Sequence, residues 1–264
     1  MRTIILFFLS VFLFCNAFAL NMVKDTSRTI ITLDKSGNVI SIITYKEDNL
    51  HGEFITYYEN NKLKEKGNYK DNLSDGKWEK YYENGKKKSI AFYEDGKLDK
   101  KNIGYYENGK KKFVEKYDTG NRTGKWEYYY ENGNLKEIQY YENHKKTGTW
   151  LYYYETGEIQ GEITYVLSKK SGSWKEYYKS GKVKQTTDFN ENNKDGFEKS
   201  YFETGQIYKQ VQYFDNLKTG EYIEYYPSGV VAIKGQYAGN KKIGSWEYFD
   251  EEGNLVKEEN TLNN

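Results

Sequence analysis

Residues 124–148 have the sequence GKWEYYYENGNLKEIQYYENHKKTG, and the chain then starts the same pattern again as GTWLYYYETGEIQ. With the first glycine taken as position 0, equivalent residues stand at 52, 76, 100, 124, 148, 172, 196, 220 and 244, a period of 24 residues without insertion. A period in this range is typical of proteins built from one repeated supersecondary unit. The unit therefore decides the fold of almost the whole chain.

Each copy predicts a β-hairpin. In most copies positions +2, +5, +6 and +17 are aromatic and +11 is aliphatic, and Asn-Gly or a close variant stands at +8 and +9. At +2 the exceptions are Asn102 and Glu198. Asn and Gly best tolerate the positive φ angles of a two-residue type I′ turn. The turn residues include Asn84, Gly85, Asn108, Gly109, Asn132 and Gly133. This turn pairs +6 with +11, +2 with +15 and 0 with +17.

The polar segment from +18 to +23 predicts a second, wider hairpin loop that returns to the next copy. The fold class expected is therefore all-β, an elongated single-layer antiparallel sheet of tandem 24-residue hairpin repeats. About ten repeats would give about twenty strands, spaced ~4.8 Å apart.

The predicted register places +2, +6, +11 and +17 on one packed face, because side chains alternate along a strand. The ring at +17 is expected to cover the bare backbone of the glycine at 0. The structural aromatic face is predicted to contain Trp78, Trp126, Trp150, Trp174, Trp246, Tyr69, Tyr93, Tyr117, Tyr141, Tyr165, Tyr213 and Tyr237.

The tyrosine at +5 points to the opposite face, among mixed charged and aliphatic side chains. One ring per copy would form a row with a spacing of about 9.6 Å, twice the strand spacing. This candidate binding stripe consists of Tyr57, Tyr81, Tyr105, Tyr129, Tyr153, Tyr177, Tyr201 and Tyr225. Rings that only cover backbone, with no partner, are the alternative.

The amino terminus predicts a secretory signal peptide over residues 1–19, with a basic start, an apolar run and a small-x-small exit at Ala17 and Ala19. Export to the periplasm, cell surface or medium follows, with a mature chain from Leu20. Cys15 is the single cysteine, and the bulky Phe14 before it disfavours lipid attachment there. With 40 basic and 39 acidic residues, the charge gives no case for nucleic acid.

The remaining chain divides into a degenerate capping repeat over 20–51, eight repeats over 52–243 and a capping repeat over 244–264. The copy at 100–123 is divergent, since Lys100 and Asn102 stand where glycine and tryptophan recur elsewhere. The packed face is expected to be thinnest there.

The pattern G-x-W-x-x-Y-Y-E-N-G-x-L, recurring in phase from about residue 28 to 264, resembles the bacterial variant of the MORN repeat. The resemblance implies a sheet that contacts proteins or membranes and that has no catalytic residues. Part of that group is described as the antitoxin side of toxin–antitoxin pairs, which makes an antitoxin-type partner protein one alternative.

The residues also argue against an enzyme. His51 and His144 are the only histidines, both in predicted loops, and no base is placed to activate a nucleophile. No cofactor and no metal are expected. The function expected is an exported interaction scaffold for a protein or cell-envelope component, with membrane contact and oligomeric state left open. The alternative is a module that binds wall glycan or choline-like groups.

Overall fold

The computed structural model describes residues 2–7 and 26–261, and every regular element within them is a β-strand. The predicted all-β class, built from tandem antiparallel hairpins, is confirmed. No helix in the described ranges is long and apolar enough to cross a membrane. The chain forms two compact units, Met1–Thr123 and Gly124–Asn264.

The first unit contains ten strands among its described residues, and each pairs antiparallel with the strand before it along β1 to β10. Their bounds are Arg2–Phe7 (β1), Ser27–Leu33 (β2), Val39–Lys46 (β3), Asn49–Tyr57 (β4), Leu63–Lys70 (β5), Leu73–Tyr81 (β6), Lys87–Glu94 (β7), Lys97–Tyr105 (β8), Lys111–Asp118 (β9) and Asn121–Arg122 (β10).

The second unit repeats the same hairpins up to residue 261. Its strands are Gly124–Tyr129 (β11), Leu135–Glu142 (β12), Lys145–Lys146 (β13), Gly148–Tyr153 (β14), Ile159–Val166 (β15), Lys169–Lys170 (β16), Gly172–Tyr177 (β17), Val183–Asn190 (β18), Asn193–Tyr201 (β19), Ile207–Phe214 (β20), Leu217–Tyr225 (β21), Val231–Ala238 (β22), Lys241–Phe249 (β23) and Leu255–Thr261 (β24).

The hairpin register agrees with the sequence prediction over its first half only. Gly124 lies opposite Tyr141 and Trp126 opposite Gln139, as the pairs 0 with +17 and +2 with +15 require. A bulge after +4 then places Tyr129 opposite Leu135. The predicted pair +6 with +11 is therefore wrong, and the aliphatic residue at +11 shares a face with the tyrosine at +5.

The turn explains this bulge. The amide of Tyr130 donates to the carbonyl of Asn134 at 2.9 Å, and the amide of Gly133 donates back to Tyr130 at 2.9 Å. Of the Asn-Gly pair, Gly133 alone has a positive φ, 94°, while the Asn132 side chain accepts from the amide of Asn134 at 2.8 Å. The predicted type I′ turn is wrong here because the Asn side chain closes an Asx turn instead.

The two-residue turn with both φ angles positive lies at the other connection. Asp71 and Asn72 have φ of 49° and 67°, and the flanking Lys70 and Leu73 are paired directly. The wider loop predicted from +18 to +23 is therefore wrong. Asp and Asn reach the left-handed region more easily than most residues, which suits them to these positions.

Glycine is favoured at position 0 because of its backbone conformation. The sequence prediction instead explains it by the +17 ring covering its backbone. This glycine lies in a second bulge, where residue 67 alone faces residues 76–78, between the pairs Lys66 with Glu79 and Asn68 with Asp75. The regular copies have a positive φ at this glycine, for example 67° at Gly76. Lys100 adopts the same conformation, φ 61°, without glycine's freedom.

At the amino terminus, β2 and β3 form a hairpin whose pair Arg28 with Tyr45 matches the register of the regular copies. The segment Arg2–Phe7 is a strand that pairs with β2. The predicted cleavage after Ala19, and Cys15, where the sequence disfavours lipid attachment, lie outside the described residues.

Candidate interaction surfaces

One surface of each hairpin is made by the side chains at 0, +2, +4, +13, +15 and +17, and we call it the indole face. Trp78 illustrates its packing: the indole is 4.9 Å from Tyr69 and 5.6 Å from Phe54, centroid to centroid. The Tyr69 contact is edge-to-face, at 80°. Aromatic pairs in this geometry contribute about 0.5–1.5 kcal/mol beyond their area burial.

The indole nitrogen anchors one copy to the next. Trp78 Nε1 donates to the carbonyl of Asn68 at 3.1 Å, and Trp150 and Trp246 bond the equivalent carbonyls of Tyr140 and Gln236 at 3.2 and 3.3 Å. Each acceptor stands ten residues earlier, in the preceding copy. The indole face thus couples neighbouring copies both by packing and by a hydrogen bond.

The residues predicted for the structural aromatic face are not equally buried. Trp78, Trp126, Trp150, Trp246, Tyr141 and Tyr165 are buried, and Trp174, Tyr69, Tyr93, Tyr117, Tyr213 and Tyr237 are half-buried. The other predicted members, the aliphatic residues at +11, lie on the opposite face because of the bulge after +4.

The opposite surface carries the side chains at +3, +5, +11 and +14, and we call it the tyrosine face. All eight rings of the candidate binding stripe are half-buried. Each pairs across the hairpin with +11, as Tyr57 does with Leu63 and Tyr153 with Ile159. Six of the eight rings therefore lie opposite an aliphatic residue, whereas Tyr81 and Tyr105 lie opposite Lys87 and Lys111, and every ring keeps part of its surface exposed.

Ion pairs lie between the stripe rings. Glu79 is 6% exposed and contacts the ammonium groups of Lys77, Lys87 and Lys66 at 3.0, 3.1 and 3.2 Å. Burial opposes ionisation of Glu79, but hydrogen bonds from these lysines outweigh it and lower the pKa of the carboxyl to about 2. In the second unit, Glu162 accepts from both Lys175 and the Tyr177 hydroxyl.

The tyrosine at +6 has a role that sequence reasoning missed. Its hydroxyl donates to the carbonyl of +5 in the next copy, as Tyr58 does to Tyr81 and Tyr154 to Tyr177, both at 2.7 Å. A lysine at +12 lies over the same ring, with Lys64 Nζ 5.6 Å from the Tyr58 centroid. The recurrence of tyrosine at +6 and lysine at +12 in the sequence could have predicted the contact between ammonium group and ring. It gives no indication of the hydrogen bond from the hydroxyl.

The other end of each hairpin carries a second clamp. The amide of Asn216 donates to the carbonyl of Lys194 at 2.9 Å, and the Asn216 side chain accepts from the amide of Lys194 at 2.8 Å. The same exchange joins Asn240 to Lys218 and Asn192 to Lys170. Copies are thus fastened to one another at both turns.

The two histidines lie in different parts of the hairpin. His51 lies in β4 and not in the predicted loop, with its Nδ1 3.1 Å from a carboxylate oxygen of the turn residue Asp71, and His144 is an exposed turn residue with φ 65°. Among the described residues, no group of three His, Cys, Asp or Glu side chains is arranged to hold a metal ion.

Hairpins of one length, joined by the same two clamps and an indole layer, define a tandem β-hairpin repeat protein. The family model for the MORN repeat variant matches eight stretches of the chain: residues 50–71, 74–95, 122–143, 146–166, 170–191, 194–215, 218–238 and 242–263. The chain belongs to this family. The divergent copy falls between the second and third stretches and is unmatched.

Comparison with curated proteins gives no match. Among solved structures, the chain is similar to the Tc holotoxin pore of Photorhabdus luminescens, with 10% identity, a TM-score of 0.21 and coverage of 89% of this chain and 15% of that one. A second likeness is to the TcdB2-TccC3-Cdc42 crystal structure, with 13% identity, a TM-score of 0.16 and coverage of 87% and 15%. The chain spans a small part of either protein, and TM-scores this low define no common fold.

Proposed function

We propose that this protein is an exported, non-enzymatic scaffold that binds a protein or cell-envelope component through its tyrosine face. The observation that carries the proposal is the half-buried ring that recurs at +5 in both units, eight in all, and the carbonyls of five of these residues, Tyr81, Tyr105, Tyr153, Tyr177 and Tyr201, accept the clamp from a +6 hydroxyl. Tyrosine offers rigid contact area together with a hydroxyl group, which is why it is enriched in interfaces.

The charges on this face support a protein or glycan surface over nucleic acid. Lysine and glutamate alternate in close pairs, such as Lys234 with Glu247 at 2.9 Å and Lys125 with Glu127 at 2.6 Å. A carboxylate beside each ammonium group neutralises its positive charge, so this face lacks the basic patch that binding to a phosphate backbone requires. A partner with both charges and apolar groups fits this surface.

The test replaces rings of the stripe that do not anchor the fold. The triple variant Tyr81→Ser, Tyr153→Ser and Tyr225→Ser should lose capture of envelope proteins or wall fragments from the producing cell. Each change costs only ~1 kcal/mol of cross-strand packing, so the variant should still melt cooperatively. The matched control changes the exposed turn residues Glu155, Lys179 and Glu203 to Ser, and it should capture the same partner as wild type. Equal capture by both variants would reject the tyrosine face.

Export rests on the apolar amino-terminal run and has a separate test. Amino-terminal sequencing of protein from the native cell should find a start near Leu20, in a fraction outside the cytoplasm. Intact Met1 on soluble cytoplasmic protein would reject export and favour the antitoxin-type alternative.

A further inference from the structure

Trp174 departs from the other tryptophans of the indole face. Its Nε1 is the one buried side-chain nitrogen or oxygen without a hydrogen-bond partner in the described part of the chain. The equivalent nitrogens of Trp78, Trp150 and Trp246 all bond a carbonyl of the preceding copy. A buried donor without an acceptor costs about 1–3 kcal/mol, so this departure calls for a physical reason.

The departure coincides with an exchange of two residues in the preceding copy. Trp78 and Trp246 lie over the glycines at +15, Gly67 and Gly235, where a Cβ would come within 2.2 and 2.4 Å of the indole. Beneath Trp174, position +15 holds the branched Ile163, which is 1% exposed, and the glycine stands at +13 instead, as Gly161. The indole shifts to the glycine, and a Cβ built on Gly161 would lie 3.6 Å from Nε1.

This shift opens a pocket of about 310 Å³, lined by Tyr152, Tyr154, Gln160, Gly161, Trp174, Glu176, Tyr177 and Lys184. The rings of Tyr152 and Trp174 are nearly parallel, at 9°, with centroids 6.5 Å apart. Its size is at the small end of ligand sites, and its aromatic walls with few polar groups are typical of them. We call it the Gly161 pocket.

The polar groups restrict the chemistry of a ligand. The Nε1–H of Trp174 donates only, so a quaternary ammonium, which has no acceptor, leaves it unpaired. The walls also carry one residue of each charge, Glu176 and Lys184, so they favour neither an anion nor a cation over a neutral ligand. A hydroxyl group both accepts and donates, and therefore fits both Trp174 and Glu176. The C–H faces of a sugar ring fit the flat tyrosine walls.

We propose that the Gly161 pocket binds one pyranose ring of a neutral saccharide, with Trp174 Nε1 donating to a ring or hydroxyl oxygen and Glu176 accepting from a hydroxyl. The site goes beyond the proposed scaffold function, because it occurs in one copy rather than in every copy. Its failure and that of the scaffold are distinguishable, since the stripe variant above leaves every lining residue in place.

The test titrates the full-length protein with maltohexaose, cellohexaose and chitohexaose, with choline chloride as the competing chemistry. The readout is the indole N–H signals of the five tryptophans in nuclear magnetic resonance spectra, with Trp174 assigned from the signal missing in Trp174→Phe. At least one saccharide should shift the Trp174 signal at millimolar concentration.

Two variants and two controls sharpen the result. Gly161→Val fills the pocket and Trp174→Phe removes the donor, and each should weaken saccharide binding tenfold or more. Binding by all variants is measured by calorimetric titration, because Trp174→Phe lacks the reporting indole signal. Gln185→Val, at the same position of the next copy, and Trp150→Phe, whose nitrogen already bonds Tyr140, should bind as wild type. If Gly161→Val does not fold, Trp174→Phe decides. No shift with any saccharide, a shift with choline chloride alone, or full binding by Trp174→Phe would overturn the proposal.

Discussion

The copy that begins at Gly76 and the divergent copy that begins at Lys100 are neighbours in the same unit and have strands of the same bounds relative to their starts. In the first, Trp78 packs among Phe54, Tyr69 and Tyr93. In the second, Asn102 donates to Glu115 at 2.8 Å, and the Tyr117 hydroxyl donates to Glu115 at 3.1 Å. The hairpin therefore forms with either an aromatic or a polar layer, and the layers differ in energy rather than in backbone.

The largest expected difference between the two copies is in the tryptophan position. Trp78→Ala should lower the free energy of unfolding by about 3–5 kcal/mol, because it removes a buried indole and its hydrogen bond. Asn102→Ala should cost only about 0.5–1.5 kcal/mol, the net worth of one hydrogen bond. Urea denaturation of both variants measures the difference, and equal losses would show that the divergent copy has an equivalent core.

The next effect concerns the lysine cluster around Glu79. The pKa of the Glu79 carboxyl is lowered from 4.5 to about 2. The ionised carboxylate therefore stabilises the fold fully above pH 4.5, and this stabilisation is lost as the pH falls through 2. Glu79→Gln should cost roughly 1–3 kcal/mol at neutral pH, discounted for the half-exposed lysines, and almost nothing near pH 2. Denaturation of the variant and of the wild type at neutral and acidic pH measures whether their free energies of unfolding become equal in acid. Glu83→Gln in the exposed turn is the control, and a gap that persists in acid would assign the cost to packing.

A smaller effect is expected where the regular copy fastens the divergent one. The Tyr82 hydroxyl donates to the carbonyl of Tyr105 at 2.7 Å. Tyr82→Phe keeps the ring and removes this bond, so it should cost about 1 kcal/mol. Hydrogen exchange should show faster opening of residues 97–105 than of residues 63–81. Uniform acceleration of both segments would mean that the clamp stabilises no particular copy.

The smallest expected effect is a gain. Lys100 holds a left-handed conformation that costs an L-residue about 1–2 kcal/mol, and glycine would remove this cost while adding about 0.5–1 kcal/mol of chain entropy. Lys100→Gly should therefore raise stability by roughly 0.5 kcal/mol, and the reverse change Gly76→Lys should lower it. A melting temperature lowered by Lys100→Gly would show that the lysine side chain contributes contacts of its own.

The alternation of aromatic residues was sufficient to predict the pairs of Gly124 with Tyr141 and Trp126 with Gln139, because both lie far from the turn. It was insufficient near Asn132, where a side-chain hydrogen bond decides between two turns that the same dipeptide permits. The pairing of Tyr129 with Leu135 follows from that choice, so +11 was assigned to the wrong face. The Gly161 pocket needed a comparison of +13 with +15 across copies, and the period alone does not prompt that comparison.

The two clamps set a rule for how this chain can change length. Tyr154 bonds a carbonyl 23 residues ahead, and Asn216 bonds the backbone 22 residues behind. Inserting or deleting one residue within a copy would displace both contacts and reverse the faces of the following strand. Duplicating or losing one complete copy keeps the spacing that both clamps require, and in the gene it keeps the reading frame. Change in copy number is therefore the length variation that this architecture admits without redesign of any single hairpin.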